Sequence, residues 1–246
     1  MEGVFDKTKF LTALRRSFAA SGLTEYLTEE NEARFSLLCE RLFAENKRYN
    51  LTAIKDEEKA ALLHFCDSVA LAPLIPEGAK VLDVGCGGGF PSLPLAIVRP
   101  DVFITAMDAT EKKVVYVRDS AALLGLNNIT AVSLRAEVAA HTEMRETFDA
   151  VVARAVAALP VLSELCLPFL RVGGVFFAMK GAGAEDEVKA SVNAFSSLGG
   201  TLREIRALTV TDGAETQTRF AVTVKKTART AKEYPRHFSR ISKKSL

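Results

Sequence analysis

Apolar residues divide the chain into a helical beginning and a long alternating region. Phe10, Leu11, Leu14 and Phe18, then Phe35, Leu37, Leu38, Leu42 and Phe43, fall largely on helical faces. Asp56 and Glu57 open a third helical stretch through Leu62, Leu63, Val69, Ala70 and Leu71, which Pro73 and Pro76 end. After the Pro76-Glu77-Gly78 turn the pattern changes to short apolar runs over residues 81–84, 102–107, 129–132, 150–153 and 175–179. Helical stretches separate them, one from Leu93 and others over 111–124, 159–170 and 185–198. Strands alternating with helices of that length predict a parallel sheet covered on both faces. Beyond Gly199-Gly200, two β-like runs at 202–210 and 218–224 flank Asp212-Gly213 and predict an antiparallel pair closing the sheet edge. The expected organisation is a helical subdomain over 1–76, a doubly wound α/β domain over 77–226 and a tail over 227–246.

Composition narrows the class. With 48% apolar and 25% charged residues among 246, the chain is neither disordered nor a membrane bundle, and it can bury a core without disulfides. No apolar run approaches a bilayer span and the beginning, MEGVFDKTKF, has no export-type apolar region, so a cytoplasmic protein without a membrane partner is expected. Cys39, Cys66, Cys86 and Cys166 are scattered, with no C-x-x-C and no histidine at ligand spacing. Reduced thiols and no metal follow, with Cys86, inside a glycine turn, as the thiol to watch for oxidation. The net charge of +2 hides an asymmetry. Lys225, Lys226, Arg229, Lys232, Arg236, Arg240, Lys243 and Lys244 face Glu233 alone, so the end of the chain carries +7 and the remainder −5. A basic extension on a mildly acidic body suits an arm for a polyanion; a solvated surface tail is the alternative.

The candidate chemistry gathers at strand ends. Asp83-Val84-Gly85-Cys86-Gly87-Gly88-Gly89 follows the first strand of the α/β region, and a helix is expected to begin soon after, with Pro91 near its first turn. Glycines there let the chain turn sharply and let a ligand lie against bare backbone. A dinucleotide fingerprint would place its third glycine at Phe90; here it falls at Gly89, giving D-x-G-x-G-x-G, the form methyltransferases use around the methionine part of S-adenosylmethionine. A P-loop is excluded because no Gly-Lys-Ser/Thr follows. Asp108, ending the second strand, stands where such folds place an acid for ribose hydroxyls, or it caps a helix. Arg135-Ala136-Glu137, after the third strand, offers a backbone N–H and a carboxylate for an adenine edge. Arg154 ends the fourth strand as a donor-only group suited to the O6 and N7 edge of guanine or to a phosphate; a structural salt bridge is the other reading. Lys180, ending the fifth, is a weaker case of the same kind. His64, His141 and His237 match no catalytic spacing, and Asn50 or Thr52 caps a helix on spacing alone.

Taken together, these residues resemble the RsmG (GidB) family of 16S ribosomal RNA methyltransferases. The likeness rests on Arg48-Tyr49-Asn50-Leu51-Thr52-Ala53-Ile54, His64-Phe65-Cys66-Asp67-Ser68, Asp83 through Pro91 with Leu93 to Ile97, Arg135-Ala136-Glu137, Ala153-Arg154-Ala155 and Lys180-Gly181, and runs from about Phe35 onward. It implies a mostly parallel seven-stranded Rossmann-like methyltransferase sheet with an N-terminal helical extension. S-adenosyl-L-methionine would be bound by Gly85, Gly87 and Phe90 on the methionine and ribose side and by Ala136 and Glu137 on the adenine side; Asp108 is added on positional grounds. Arg154 would touch the cofactor or the target, with Lys180 steadying the base. Asn50, His64 and Arg236 would face 16S rRNA or the small ribosomal subunit. The implied reaction is methylation of guanine N7, which carries a lone pair and no proton and so asks for no general base. Two departures stand out. Ser92 replaces a usual glycine, and Tyr234-Pro235-Arg236 is followed by His237-Phe238-Ser239-Arg240-Ile241-Ser242 rather than by glycine and prolines. A monomer is the default. The competing readings are a same-fold methyltransferase of small molecules or proteins, and an RNA-binding assembly factor with a vestigial pocket.

Overall fold

The computed structural model describes residues 5–246, so the first four positions of the expected N-terminal subdomain lie outside it. Helix α1 (Lys7–Ala20) starts where Asp6 accepts the Lys9 amide, and α2 (Glu29–Tyr49) starts at Thr28, whose hydroxyl accepts the Asn31 amide. Asp56 caps α3 (Glu57–Ala60), which continues as a π-helical segment (Ala61–Cys66) into α4 (Asp67–Val69). Asp56 therefore does the capping that spacing offered to Asn50 or Thr52. Strands and helices then alternate: β1 (Lys80–Val84), α5 (Ser92–Val98), β2 (Phe103–Asp108), α6 (Glu111–Leu123), β3 (Ile129–Ser133), the single turn α7 (Ala136–Ala139), β4 (Phe148–Arg154), α8 (Leu159–Cys166), β5 (Leu170–Lys180) and α9 (Ala184–Ser197). The hairpin β6 (Gly200–Thr211) and β7 (Thr216–Lys226) and a last short helix, α10 (Phe238–Lys243), complete the chain.

The seven strands are ordered β3-β2-β1-β4-β5-β7-β6. β1 to β5 run parallel, whereas β7 pairs antiparallel with both β5 and β6, so the hairpin closes one edge as its turn residues predict. Alternate residues of each strand feed two cores. Val81, Ile104, Ala106, Val152 and Phe177 face α5 and α6 and the N-terminal helices, packing with Phe10, Phe35, Leu42 and Phe65. Leu82, Met107, Val151, Phe176 and Val224 face α8, α9 and Ile241 of α10. The N-terminal helices thus share one core with the sheet. Ser21, just past the end of α1, exchanges hydrogen bonds with Thr211, and Arg16 reaches Asp212 at 3.0 Å, tying α1 to the hairpin tip. Among the described residues no helix is long and apolar enough to cross a membrane.

Strand order reverses between β1, whose other neighbour is β2, and β4, which continues to β5. In open α/β sheets the loops beyond the carboxyl ends of the strands diverge at that point and leave a crevice.

Candidate active site

Two adjoining cavities lie at this crevice. The smaller, about 210 Å³, is lined by Val84 and Gly85 at the end of β1, Met107 to Ala109 at the end of β2, Leu134 to Glu137 around the start of α7, and Val156, Leu165 and Phe238. The larger, about 450 Å³, is lined by Ile54, Leu63, His64, Asp67, Arg154, Ala155, Met179 to Gly181, and Arg219. The turn Ala155-Val156 separates them. Ala155 adopts a left-handed φ of 56°, unusual for a residue with a Cβ, and the reversal sends Arg154 into one cavity and Val156 over the other.

The glycine turn forms because its residues take φ angles that side chains resist. Gly85 has φ 78°, and a Cβ there would lie 2.7 Å from Val156 Cγ2, so only bare backbone fits beneath that wall of the small cavity. Gly89 has φ 85° and faces inward, where a Cβ would come within 2.9 Å of Leu93 Cγ. The two glycines therefore differ in what they admit: Gly85 lets Val156 close over the turn at the small cavity, and Gly89 lets the turn pack on α5. Asp108 braces the turn, accepting the Gly87 amide through Oδ2 at 3.1 Å and the Thr110 amide through Oδ1 at 2.8 Å. It is half-buried and lines the small cavity, so the residue that supports the turn is also part of the cavity wall. Ala136 and Glu137 open α7, and the first amides of a helix have no carbonyl of their own helix to bond.

Asp83 is fully buried under the turn. Ser92 Oγ donates to its Oδ2, whereas Oδ1 has no hydrogen-bond partner. Burial raises its carboxyl to about 6, against the lowering effects of the Ser92 hydrogen bond and the Arg154 charge. Ser92, which departs from the family's glycine, is thus a direct partner of the motif's acid. Cys86 corrects an expectation. It is buried like the other three thiols, and burial together with the Asp83 and Asp108 charges pushes it well above the ordinary thiol range, so it stays a protonated, shielded group.

The large cavity is organised by Asp67, whose side chain is 4% exposed. Its Oδ2 accepts Arg154 NH1 at 2.9 Å, and Arg219 Nε of β7 stands 3.3 Å from Oδ1, an ion pair without hydrogen-bond alignment. Arg154 NH1 also donates to the Leu63 carbonyl at 3.0 Å, and NH2 lies 3.4 Å from His64 Nδ1. His64 Nε2 meets Thr52 Oγ1 at 2.7 Å, and its ring stacks on Phe90 with centroids 4.6 Å apart. Burial, then the Arg154 charge, lowers the imidazole to about 3, so it is neutral at working pH. Arg154 therefore makes the structural ion pair, and its side chain also lines the larger cavity. Lys180, 9% exposed at its side chain, donates to the Ala157 carbonyl at 2.6 Å and pairs with Glu187 at 2.8 Å.

Gly85, Asp108, Ala136 and Glu137 thus line one cavity and His64, Arg154 and Lys180 the other, with Phe90 packed beneath the His64 ring. Gly87 lines neither cavity, its amide being held by Asp108, and Asn50 and Arg236 stand further apart. Asn50 closes α2 in the left-handed region, exposed and outside both walls. Arg236, expected to face RNA, instead turns inward: its Nε and NH2 bind the carboxylate of Glu164, a side chain with no exposure, at 2.8 and 2.6 Å. Sequence reasoning missed Asp67 as the hub, and Arg219 and Phe238 as wall residues. An arginine in an otherwise β-like run, Thr218 to Val224, was the available signal for Arg219.

Fold and crevice together define the Rossmann-like methyltransferase class. The structure is similar to M. jannaschii TYW2 in complex with AdoMet, with a TM-score of 0.51 and 16% identity over 65% of this chain and 74% of that one, a likeness of fold. Within the class, the chain belongs to the rRNA small subunit methyltransferase G (GidB) family, whose model matches residues 31–214. It is 44% identical over 209 residues to the ribosomal RNA small subunit methyltransferase G of Deinococcus radiodurans, covering 84% of this chain and 82% of that protein. It is 40% identical over 235 residues to the protein of the same name from Lactobacillus delbrueckii subsp. bulgaricus, covering 92% of this chain and 98% of the relative.

Proposed function

We propose that this protein methylates N7 of one guanine in 16S ribosomal RNA, using S-adenosyl-L-methionine, in the cytoplasm. The observation that carries the reading is the pairing of a glycine-floored cavity, rimmed by Asp108 and the α7 amides, with an adjoining cleft lined by Arg154, Lys180 and Arg219. The residues of the first fit the cofactor. Gly85 provides a bare-backbone floor on which a Cβ would displace the Val156 wall, Asp108 presents a carboxylate to a diol, and Ala136 and Glu137 present an N–H and an acceptor to an adenine edge. When bound, the cofactor supplies a methyl group on a sulfonium, a good leaving group for direct displacement.

The chain's own work is then positional. Guanine N7 has an available lone pair, so no side chain need remove a proton before attack, and His64, held neutral, is unsuited to act as an acid. Holding the reacting atoms in line is worth several orders of magnitude in rate. The cleft does this with donors: Arg154, fixed by Asp67 and the Leu63 carbonyl, and Arg219 suit the O6 of guanine or a neighbouring phosphate. A cation against N7 itself would oppose the positive charge of the product, which favours O6 or phosphate for these groups. Arg229, Lys232, Arg240, Lys243 and Lys244 remain exposed and would meet the RNA backbone.

The test is methyl transfer from labelled S-adenosylmethionine to deproteinised 16S rRNA, to 30S particles and to a protein mixture, each from a strain lacking the enzyme, followed by nucleoside analysis. Label in 7-methylguanosine is expected. Label in protein alone, or in none of the fractions, overturns the reading.

A further inference from the structure

The end of the chain is basic, yet it does not behave as a free arm. Arg145 donates to the carbonyls of Thr230, Ala231 and Tyr234 at 2.8, 3.0 and 2.8 Å, and His141 Nε2 meets the Pro235 carbonyl at 2.9 Å. Arg236 follows, clasping Glu164 of α8 through its backbone amide as well as its guanidinium, and its NH2 also donates to the Lys244 carbonyl at 3.1 Å. Ile241 is fully buried in the core under α8. These ties fix both ends of the short stretch that carries Phe238. The residue is left 39% exposed, and it lines the small cavity together with Asp108, Leu134, Ala136, Val156 and Leu165. A large aromatic kept half-bare at a cavity mouth, on a segment fastened on both sides, has the character of a surface waiting to be covered by another flat apolar group.

We propose that the C-terminal segment is the outer wall of the cofactor's adenosine pocket, with Phe238 packing on the adenine and Arg236 acting through Glu164 as the residue that positions it. The proposal rests on the cofactor reading of the small cavity and deepens it. Adenine presents a π-face to any aromatic, and Leu134, Val156 and Leu165 supply apolar wall beside Phe238, while Asp108 and Glu137 bring polar groups to the same cavity. Arg236 thereby serves the cofactor and not the RNA, its guanidinium being held by a carboxylate whose side chain has no exposure.

The experiment is calorimetric binding of S-adenosylhomocysteine and of methylthioadenosine, which keeps the adenosine and lacks the amino acid, to the full-length protein. Phe238→Ala should weaken both ligands by the same factor, about 5- to 20-fold for a lost base–aromatic contact, while Phe238→Tyr stays near the parent. In turnover the KM for cofactor should rise with kcat and the KM for RNA nearly unchanged. Arg236→Ala should reproduce the loss, and adding it to Phe238→Ala should cost little more, because a positioning residue has nothing left to position. Circular dichroism on each variant identifies any that fail to fold, and Phe238→Ala, a half-exposed truncation, is the variant on which the proposal stands. Unchanged affinity for both ligands in a folded Phe238→Ala overturns it, as does a raised KM for RNA alone, which would make Phe238 a platform for an RNA base. If the parent protein itself binds neither ligand, the cofactor reading of the cavity fails instead.

Discussion

At the scale of single residues the site is a set of charges whose partners are already chosen. Arg154 is the most informative. Arg154→Ala removes one of the two cations on a nearly buried Asp67, which should cost about 3 kcal/mol of stability as well as most of the activity. Arg154→Lys keeps the charge but loses the fork that reaches Asp67 and Leu63 together. It should stay folded and lose at least about tenfold in kcat/KM, measured beside a thermal melt. Asp83 gives a prediction in pH. Its folded carboxyl is raised to about 6 from 3.8, so its favourable contribution is complete below the unfolded value and is lost as pH rises through 6. Without cofactor, Asp83→Asn should therefore melt higher than the parent at pH 7.5, and the gap should close toward pH 4.5. His64 works in the opposite sense, its stability contribution falling as pH drops from 6.5 toward 3, but it is present in both proteins and cancels in the comparison. A gap that is constant across the range would remove Asp83 as its cause.

At the scale of elements, the glycine turn separates two duties. Gly85→Ala should push Val156 into the small cavity and weaken cofactor binding by about tenfold or more with a modest loss of stability, whereas Gly89→Ala should strain the α5 junction by about 1–3 kcal/mol. Paired melts and binding isotherms check this; equal effects on both readouts in both variants would contradict it. The turn was legible in the sequence, as were the strands, because a sheet covered on both faces demands uninterrupted apolar runs. β5 was read short because Arg171 and Gly173-Gly174 interrupt its early part, although Leu170 already pairs with Phe148 of β4. α7 is a single turn, too brief for a period, and the π-helical winding of Ala61–Cys66 leaves no mark on apolar spacing. Arg219 became meaningful only once β7 was seated beside β5, which carries Lys180, since a strand pattern alone does not say which neighbour a side chain will meet.

At the scale of the molecule, charge and packing divide the tail between two tasks. Lys225 donates to the Gly173 carbonyl, Lys226 is buried against the Leu167 and Leu198 carbonyls, and Arg236 holds Glu164. Cutting the chain after Val224 would therefore remove structure along with charge. Replacing Lys232, Arg240, Lys243 and Lys244 by Ser is the cleaner test: the fold should persist, and the slope of log affinity against log salt for 16S rRNA should fall by up to about 3. An unchanged slope would take the tail out of the RNA interface. The Asp67 hub has a different consequence, one of timing. It joins a carboxylate from the first third of the chain to an arginine of β4 and another of β7, so the cleft needs three segments that emerge from a ribosome far apart in time. Closing such long loops comes late and slowly in folding. On the proposed reading of the cleft, a nascent chain displays the glycine turn long before it has an entrance for RNA, and engages rRNA there only once nearly all of it has been made.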